Sequence, residues 1–394
     1  MKFLFNDGSF SFETLRGLSY LNSGGADIGE MVVAAANIPD GDENAWTHQL
    51  EYLADRIYQQ GESAAAGGHK VSTREAYLRA SNYYRMADFY YRTDPDADQE
   101  RSQGLNRSSE KAFNQALPLL EYPGRAVKIP YEDTFLPGYY FTPDDSGKKR
   151  PTFLYIGGYD STAEELYFAG GTAALKRGYN LLIWDGPGQG SNVRDRKMYF
   201  RPDYEAAVTP AVDFALSLPE VDGDRLALMG MSLGGYLAPR AAAFEKRISA
   251  LIAYDGVWSL GDSLDGLIAP AKNLGGGLEE LLAQDTFARW ALRTGVWSFG
   301  VKTYDELLEA AKAYNIGDVV DQITCDVLVE DTESDQFFKG QAQHLYDSLS
   351  NAKSKEFIQF YDNEGAGEHC SEGALLTMAQ RTFDWLDEKF DVKQ

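Results

Sequence analysis

The sequence predicts an α/β fold built on a mostly parallel, doubly wound sheet. From residue 150 onward, apolar runs of strand length alternate with helical patterns, as in parallel strands joined by crossover helices. A Gly-x-Ser-x-Gly pentapeptide connects one of these runs to a helix-like segment. Roughly the first 120 residues show helical periodicity and no strong strand pattern. A chain of 394 residues is long enough for such a core together with an added helical subdomain.

The first unit, residues 1–122, is predicted to be a helical cap that also serves in dimerisation. Ser72-Thr73-Arg74-Glu75 resembles a capping box at a helix start. Apolar and aromatic residues then recur on one helical face: Tyr77, Ala80, Tyr84, Ala87 and Tyr91. Asp94-Pro95 ends this helix, and a second one covers Ser108–Leu119. The apolar face either roofs a pocket and meets a second subunit or simply packs on the core.

The period changes at Gly124, so a second unit is expected over residues 123–394. Eight strands are predicted in it, at Arg125–Pro130, Gly138–Thr142, Thr152–Ile156, Asn180–Trp184, Arg225–Met229, Ile248–Tyr254, Asp326–Val329 and Glu356–Tyr361. Helices are predicted at Ala163–Arg177, Tyr204–Leu218, Leu233–Phe244, Lys339–Leu349 and Gly373–Lys389. An insertion over about residues 260–321 is expected to form a lid above the carboxyl edge of the sheet.

The pentapeptide Gly230-Met231-Ser232-Leu233-Gly234 lies between a predicted strand and a predicted helix. This arrangement is the nucleophile elbow of α/β-hydrolases, a turn so sharp that only small flanking residues fit. The turn lifts the Ser232 hydroxyl out of the sheet and points the helix N-terminus at a developing oxyanion. We therefore expect an α/β-hydrolase fold with Ser232 as the nucleophile.

A serine hydroxyl needs a neighbouring base, and in this fold the chain order is serine, acid, histidine. His48 and His69 precede Ser232 and are excluded by that order. His344 lies inside a predicted helix, where we expect it to be buried. His369 lies in a glycine-containing loop directly after the last strand, at the edge where the elbow opens. His369 is therefore the predicted base.

The acid is expected after the strand Asp326–Val329, where four carboxylates crowd one segment: Glu330, Asp331, Glu333 and Asp335. Asp335 precedes the hydrophobic pair Phe337-Phe338, which favours it, and Asp331 is the alternative. The other three carboxylates fit a solvated acidic loop. The chosen acid would hold the imidazole tautomer and stabilise its charged form.

Two backbone donors are needed for the oxyanion hole. Leu233 N–H supplies one, and the loop Gly157-Gly158-Tyr159-Asp160 supplies the other, with Tyr159 preferred over Gly158. Asp160 and Tyr84 are further candidates for contact with substrate. The glycine-rich segment Asp185–Gly190 lacks phosphate-loop spacing and is interpreted as a structural turn.

Composition limits the classes of partner. The net charge of −23 disfavours nucleic acid and anionic membranes. Cys325 and Cys370 make neither a disulfide framework nor a metal-binding spacing, and we expect no metal or cofactor. The chain has no signal-peptide pattern and no apolar stretch of 18 residues, so a cytoplasmic protein is expected. The 13% aromatic content suits a hydrophobic or aromatic small-molecule substrate.

Several segments together resemble one α/β-hydrolase family, that of the fungal pigment-pathway polyketide-shortening hydrolases and the bacterial 2,6-dihydropseudooxynicotine hydrolase. These segments are Thr73–Arg85, Gly157–Ser161, Arg177–Asn180, Asp185–Gly190, Gly230–Arg240 and Gly365–Cys370. The resemblance runs from about residue 40 to the C-terminus. It implies a helical cap, a homodimer, and Ser232, Asp335 and His369 at the catalytic positions. It also implies an additional lid carboxylate, for which Asp262, Asp265 and Glu279 are candidates.

The activity implied by the resemblance is hydrolysis of a carbon–carbon bond next to a ketone, through an acyl-serine. The same residues suit the hydrolysis of an ester, lactone or thioester, or acyl transfer to an alcohol. A third interpretation is a non-catalytic, ligand-binding hydrolase fold, which the complete set of triad residues disfavours.

Overall fold

In the computed structural model, which describes residues 2–91 and 99–393, the centre is an eight-stranded sheet. The strands are β1 Gly124–Tyr131, β2 Thr134–Phe141, β3 Arg150–Ile156, β4 Asn180–Trp184, β5 Val221–Gly230, β6 Ala250–Tyr254, β7 Asp326–Thr332 and β8 Ser354–Phe360. Their order is β1-β2-β4-β3-β5-β6-β7-β8. β2 is antiparallel to β1 and β4, and the other pairs are parallel. The predicted α/β-hydrolase fold, with its mostly parallel sheet, is confirmed.

Helices precede the sheet and flank it. The N-terminal ones are α1 Gly8–Ser19, α2 Ile28–Ala35, α3 Glu43–Ala66, α4 Lys70–Asp88 and α5 Gln99–Ala116. Those between β3 and β6 are α6 Ala163–Leu166, α7 Thr172–Lys176, α8 Gly190–Arg196, α9 Glu205–Leu216 and α10 Gly234–Phe244. The insertion after β6 holds α11 Leu260–Ile268, α12 Gly277–Gln284, α13 Thr286–Ser298 and α14 Tyr304–Ala311, and α15 Gln341–Ser348 and α16 Leu375–Phe390 follow β7 and β8.

The aromatic face of α4 is buried as its periodicity predicts: Tyr77, Ala80, Tyr84 and Ala87 are each at most 6% exposed. The predicted capping box is wrong, because α4 begins at Lys70. Thr73 donates its hydroxyl to the His69 carbonyl inside the first turn instead of capping the helix. The helix is also shorter than predicted: α4 ends at Asp88, before Tyr91 and before the predicted stop at Asp94-Pro95, which itself lies outside the described residues.

Two elements of the sheet unit differ from their predicted form. The segment predicted as one helix over Ala163–Arg177 is interrupted by a π-helical turn, Tyr167–Gly171, where Gly170 has φ 143°. Only glycine adopts such a backbone angle without strain, so the local break depends on that residue. Strand β7 continues to Thr332, three residues further than predicted, which buries Glu330 completely. Glu330 is therefore not part of a solvated acidic loop.

The N-terminal helices pack directly on the insertion. The Phe89 ring stacks on Trp290 of α13 with centroids 4.5 Å apart, and Arg289 forms an ion pair with Glu43 at 2.7 Å. These contacts hold both helical segments over the carboxyl edge of the sheet. The division into two domains at residues 122 and 123 stays a prediction. No helix in the described ranges is long and apolar enough to span a bilayer.

Candidate active site

The turn after β5 holds Ser232 in a left-handed conformation, with φ 62°. Small neighbours make this turn possible. A Cβ on Gly230 would collide with the carbonyl oxygen of Gly234, and one on Gly234 would lie 2.9 Å from the Gly157 carbonyl oxygen. The serine is partly exposed at the start of α10, where helix N–H groups converge. The sequence therefore folds into the strand–turn–helix geometry that its pentapeptide predicts.

Ser232, His369 and Asp335 form a continuous hydrogen-bonded chain. His369 Nε2 lies 2.9 Å from Ser232 Oγ, and His369 Nδ1 lies 2.8 Å from Asp335 Oδ2. The other oxygen of Asp335 accepts the N–H groups of Phe337 and Phe338 at 2.6 and 2.9 Å. Burial acts to raise the pKa of Asp335, but the His369 charge and these hydrogen bonds hold that pKa below its usual range.

Asp331, the alternative acid, is half-buried, and its carboxylate accepts the Thr332 N–H instead of contacting His369. His344 also lies away from the serine turn. It is exposed on α15 and stacks on Trp258 with ring centroids 3.8 Å apart, so the expectation that it is buried is wrong. The helix turns this side chain outward while Leu345 packs inward.

His369 is only 5% exposed and packs against aromatic rings, with its centroid 4.5 Å from that of Phe337. Burial acts to lower the pKa of His369, whereas the charges of Asp255 and Asp335 raise it, to about 9. Two buried carboxylates therefore act on one imidazole. Of the two, only Asp335 was predicted from the sequence.

Asp255 was not predicted from the sequence. It directly follows β6 and is fully buried. Its Oδ2 accepts the Ser232 N–H at 3.2 Å and lies 3.5 Å from His369 Nδ1. Its position in the chain is the feature from which Asp255 could have been predicted. It follows a buried strand whose carboxyl end lies at the same sheet edge as the elbow.

The loop after β3 reaches the serine through Gly158, where a Cβ would lie 2.7 Å from the Ser232 Cβ. The Gly158 N–H is used locally, since it donates to Ser161 Oγ at 2.9 Å. The Gln189 amide donates to the carbonyls of Gly157 and Gly158 at 2.8 and 2.9 Å. The glycine-rich segment Asp185–Gly190, which contains Gln189, therefore positions the loop after β3. This segment was predicted to be a structural turn, and the contacts of Gln189 give it that further positioning role.

A pocket opens above Ser232 and His369, and three parts of the chain contribute to its wall. Its apolar side includes Leu260, Leu264 and Leu267 of α11, Trp290 of α13, and Phe12 of α1. Its polar end holds Glu13, Arg16, Asp160 and Glu372. Both the N-terminal helices and the insertion thus contribute to the roof of the pocket.

Of the predicted substrate contacts, the structure brings only Asp160 to the pocket, where it accepts Arg16 Nη1 at 3.0 Å. Tyr84 is not among the residues that line this pocket. Its hydroxyl donates to Asp55 at 2.6 Å within the N-terminal helices. Asp262 is exposed, because the pocket face of α11 carries leucines instead. The other lid candidates, Asp265 and Glu279, are also exposed.

Buried ion pairs form the polar end of the pocket. Arg16 contacts Glu13, Asp160 and Glu165 at 3.1, 3.0 and 2.7 Å. Arg85 contacts Glu165 at 3.2 Å. Each of Glu13 and Glu372 keeps one buried carboxyl oxygen without a hydrogen-bond partner within the described residues. Burial raises the pKa of Glu372 to about 8 and that of Glu13 to about 7.

Asp255, His369 and Cys370 also place three potential metal-ligand atoms within 4.8 Å of one another. Their chemistry suits hydrogen bonds better than a metal. Burial raises the pKa of the Cys370 thiol far above its ordinary value, so the sulfur keeps its proton. His369 already uses both ring nitrogens, toward Asp335 and Ser232.

Comparison with known proteins assigns the family. The family model described as esterase FrsA-like matches residues 42–273. The chain belongs to the FrsA-like esterase family. This region includes helices α3–α5 and the sheet through β6, together with the Ser232 turn and the Gly158 loop.

Full-length relatives carry hydrolase names. The hydrolyase poxO of Penicillium oxalicum is 32% identical over 417 residues, covering 98% of this chain and 99% of that protein. The 20-hydroxy-prefusarin hydrolase FUS2 of Gibberella moniliformis is 33% identical, covering 99% of each chain. The solved 2,6-dihydroxy-pseudo-oxynicotine hydrolase matches with a TM-score of 0.76 and 25% identity over 95% of each chain. The resemblance inferred from the motifs is confirmed, and the chain is an enzyme of the α/β-hydrolase type.

Proposed function

We propose that this protein is a serine hydrolase that cleaves a carbon–carbon bond next to a ketone in a polyketide-like or aryl-ketone substrate. The observation that carries the proposal is the chain Ser232–His369–Asp335, with contacts of 2.9 and 2.8 Å, on the floor of an apolar pocket. Two of the similar proteins are named for small organic substrates, 20-hydroxy-prefusarin and 2,6-dihydroxy-pseudo-oxynicotine, which supports a small-molecule substrate here.

In the first half of the reaction, His369 Nε2 takes the proton of Ser232 as Oγ attacks the ketone carbon. The resulting alkoxide lies toward the N–H groups of Leu233 and Tyr159. Tyr159 is the preferred donor of its loop because the Gly158 N–H is bonded to Ser161. Collapse of the alkoxide breaks the carbon–carbon bond, and the electron pair leaves with the neighbouring fragment.

In the second half, protonated His369 gives its proton to the carbanion carbon, which releases the first product. The acyl-serine then reacts with water, whose hydroxyl adds to the acyl carbon while His369 takes the remaining proton. Collapse releases the acid and returns the proton to Ser232 Oγ. The reaction consumes one water and needs no oxidant or cofactor.

An unstabilised carbanion is too poor a leaving group, so the leaving fragment must spread the charge by resonance, as a second carbonyl does when it forms an enolate. The polar end of the pocket supports this requirement. With a pKa near 8, Glu372 is mostly protonated at neutral pH and has a carboxyl group able to donate to an enolate oxygen. The positive charges of Arg16 and Arg85 are balanced by the carboxylates of Asp160 and Glu165, with which they form ion pairs.

The second candidate activity is hydrolysis of an ester, lactone or thioester, or transfer of the acyl group to an alcohol. The match to an esterase family model favours it. Either reaction uses the same nucleophile, base and oxyanion donors and differs only in the leaving group.

Mass spectrometry in H₂¹⁸O separates the two activities. Purified enzyme is incubated with an aryl β-diketone and, separately, with the aryl ester of matched size, and Ser232→Ala is the control. We expect ¹⁸O in the acid released from the diketone and a ketone as the second product. Turnover of the ester alone would refute carbon–carbon cleavage, and equal diketone cleavage by Ser232→Ala would refute the acyl-serine.

The homodimer, the dimerising role of residues 1–122 and the cytoplasmic location belong to this proposal as well. Light scattering on the purified full chain tests the dimer, for which we expect twice the chain mass of 43.7 kDa. A mass equal to one chain would refute it.

A further inference from the structure

Asp255 places a second buried carboxylate beside His369, and the mechanism above does not use it. Besides the Ser232 N–H and the His369 ring, its side chain contacts Cys370. The thiol of Cys370 donates to Asp255 Oδ2 at 3.0 Å, and the Cys370 N–H lies 3.4 Å from Oδ1. One side chain therefore touches both the turn that carries the nucleophile and the loop that carries the base.

The backbone at these contacts is unusual for residues other than glycine. Ser232, Asp255 and Cys370 have φ angles of 62°, 68° and 56°. Left-handed non-glycine residues cost on the order of 1 kcal/mol each and persist where surrounding contacts fix them. The Asp255 N–H is itself fixed to the Glu330 carbonyl of β7 at 2.9 Å. The Asp255 carboxylate thus joins three strained backbone positions across β5, β6 and the histidine loop.

We propose that Asp255 is a second acidic partner of His369, a positioning residue that fastens the serine turn to the histidine loop and shares with Asp335 the stabilisation of the imidazolium. The proposal rests on Ser232 and His369 acting as nucleophile and base. It does not depend on which bond the enzyme cleaves.

The surroundings of His369 define the expected electrostatic effect. Asp335 and Asp255 face its Nδ1, the neutral Cys370 thiol follows it, and the rings of Phe12, Phe337 and Phe338 enclose it. Burial raises the pKa of Asp255 to about 7, which lies below the pKa of about 9 of His369, so both carboxylates are charged over the pH range in which His369 loses its proton. Arg16 acts in the opposite direction as a positive charge. Removal of the Asp255 charge therefore makes His369 less basic. The neutral, proton-accepting form of the imidazole is then reached at lower pH.

Labelling by a fluorophosphonate measures this property without knowledge of the substrate. Ser232 Oγ forms a bond to phosphorus, the phosphorus–fluorine bond breaks, fluoride leaves, and the serine proton goes to His369. The labelling rate rises with pH as His369 loses its proton. The midpoint of that rise reports the pKa of the base in the free enzyme.

For Asp255→Asn we expect the midpoint to fall by about one pH unit, since a charge within 4–6 Å shifts a pKa by about 1–3 units. The matched control is Glu330→Gln, which removes another fully buried carboxyl from the same sheet edge. Glu330 accepts a hydrogen bond from Thr382 at 2.6 Å. The midpoint of labelling for Glu330→Gln should equal that of the wild type. A midpoint unchanged in Asp255→Asn, with labelling slowed equally at every pH, would show a purely structural residue and overturn the proposal.

A second set of variants tests the shared role of Asp255 and Asp335 if Asp255→Asn folds poorly. Asp335→Asn should label about tenfold faster than the double variant Asp335→Asn/Asp255→Asn, because Asp255 still faces Nδ1 in the single variant and a charge at this distance is worth about one pKa unit. Asp255→Glu keeps the charge and should keep the wild-type midpoint. Equal labelling of the single and double variants, both shown to be folded by circular dichroism, would refute a shared role.

The outcomes also separate this inference from the proposed function. Absence of wild-type labelling would overturn both. Normal labelling with the predicted shift, but without diketone cleavage, would leave Asp255 as proposed and remove only the assignment of the bond.

Discussion

Gly158 provides the most direct test of the proposed oxyanion loop, because backbone donors cannot be removed by side-chain mutation. In Gly158→Ala, the added Cβ would lie 2.7 Å from the Ser232 Cβ and 3.0 Å from the Leu233 nitrogen. Ordinary contacts begin at 3.4 Å. The loop must therefore retreat from the serine by about 0.7 Å. A hydrogen bond of about 2.9 Å stretched by that amount is no longer formed.

Loss of one oxyanion donor costs about 10²–10³ in kcat, or about 2.7–4 kcal/mol of transition-state stabilisation. We therefore expect kcat/KM of Gly158→Ala for the diketone or for a p-nitrophenyl ester to fall by about that factor, while thermal unfolding stays cooperative. Gly266→Ala is the matched control, since a Cβ there meets nothing within 4 Å on a helix that also lines the pocket. A folded Gly158→Ala enzyme within threefold of wild-type activity would refute the assignment of this loop.

Three further predictions concern the parts that support the site. Gln189→Ala loses two buried hydrogen bonds to the oxyanion loop. We expect its free energy of unfolding in a urea titration to fall by about 2 kcal/mol, and its kcat to fall at a similar KM. An unchanged kcat would contradict the positioning role of Gln189. Arg16→Met breaks the buried ion pairs of Arg16 with Glu13, Asp160 and Glu165. Urea titration should show a loss of about 3–5 kcal/mol in the free energy of unfolding, whereas a loss below about 1 kcal/mol would contradict this. Folding raises the pKa of Glu372 from 4.5 to about 8, so the folded state binds the proton more tightly; this contribution is complete below about pH 4.5 and is lost as pH rises through 8. The melting temperature should therefore fall between pH 6 and pH 9, and less steeply in Glu372→Gln; identical slopes would contradict the assignment.

The sheet was predictable because its strands are short apolar runs between clear turn residues. β4 is predicted with its observed bounds, Asn180–Trp184, since every residue of it is buried and the apolar run ends at Trp184, directly before the glycine-rich segment Asp185–Gly190. β7 was harder. Its last residues, Glu330 to Thr332, are polar, and they stay in the strand because β8 pairs with all three of them and β6 pairs with Glu330. A polar run in the centre of a sheet does not look like a strand in the sequence.

The N-terminal helices show the limit of periodicity. The face of α4 carries a regular aromatic pattern and was predicted, whereas α1, α2 and α3 were not individually assigned. The wall that α1 contributes to the pocket was missed as a result. Phe12, Glu13 and Arg16 reach the pocket only because α1 packs across the sheet edge, with Arg16 bound to Asp160 and Glu165 from the second unit.

Chain order and local geometry were enough to name Ser232, His369 and Asp335, because the elbow, the last loop and the strand end are each local features. Asp255 carries no local signature, and its importance comes from contacts with residues 23 and 115 positions away. The sequence by itself determined the fold and which residues can carry the chemistry. The tertiary structure decided which carboxylates surround the base, because parallel strands bring their carboxyl ends to one edge from distant positions in the chain. It also decided which helices wall the pocket, since burial there depends on packing that no single segment encodes.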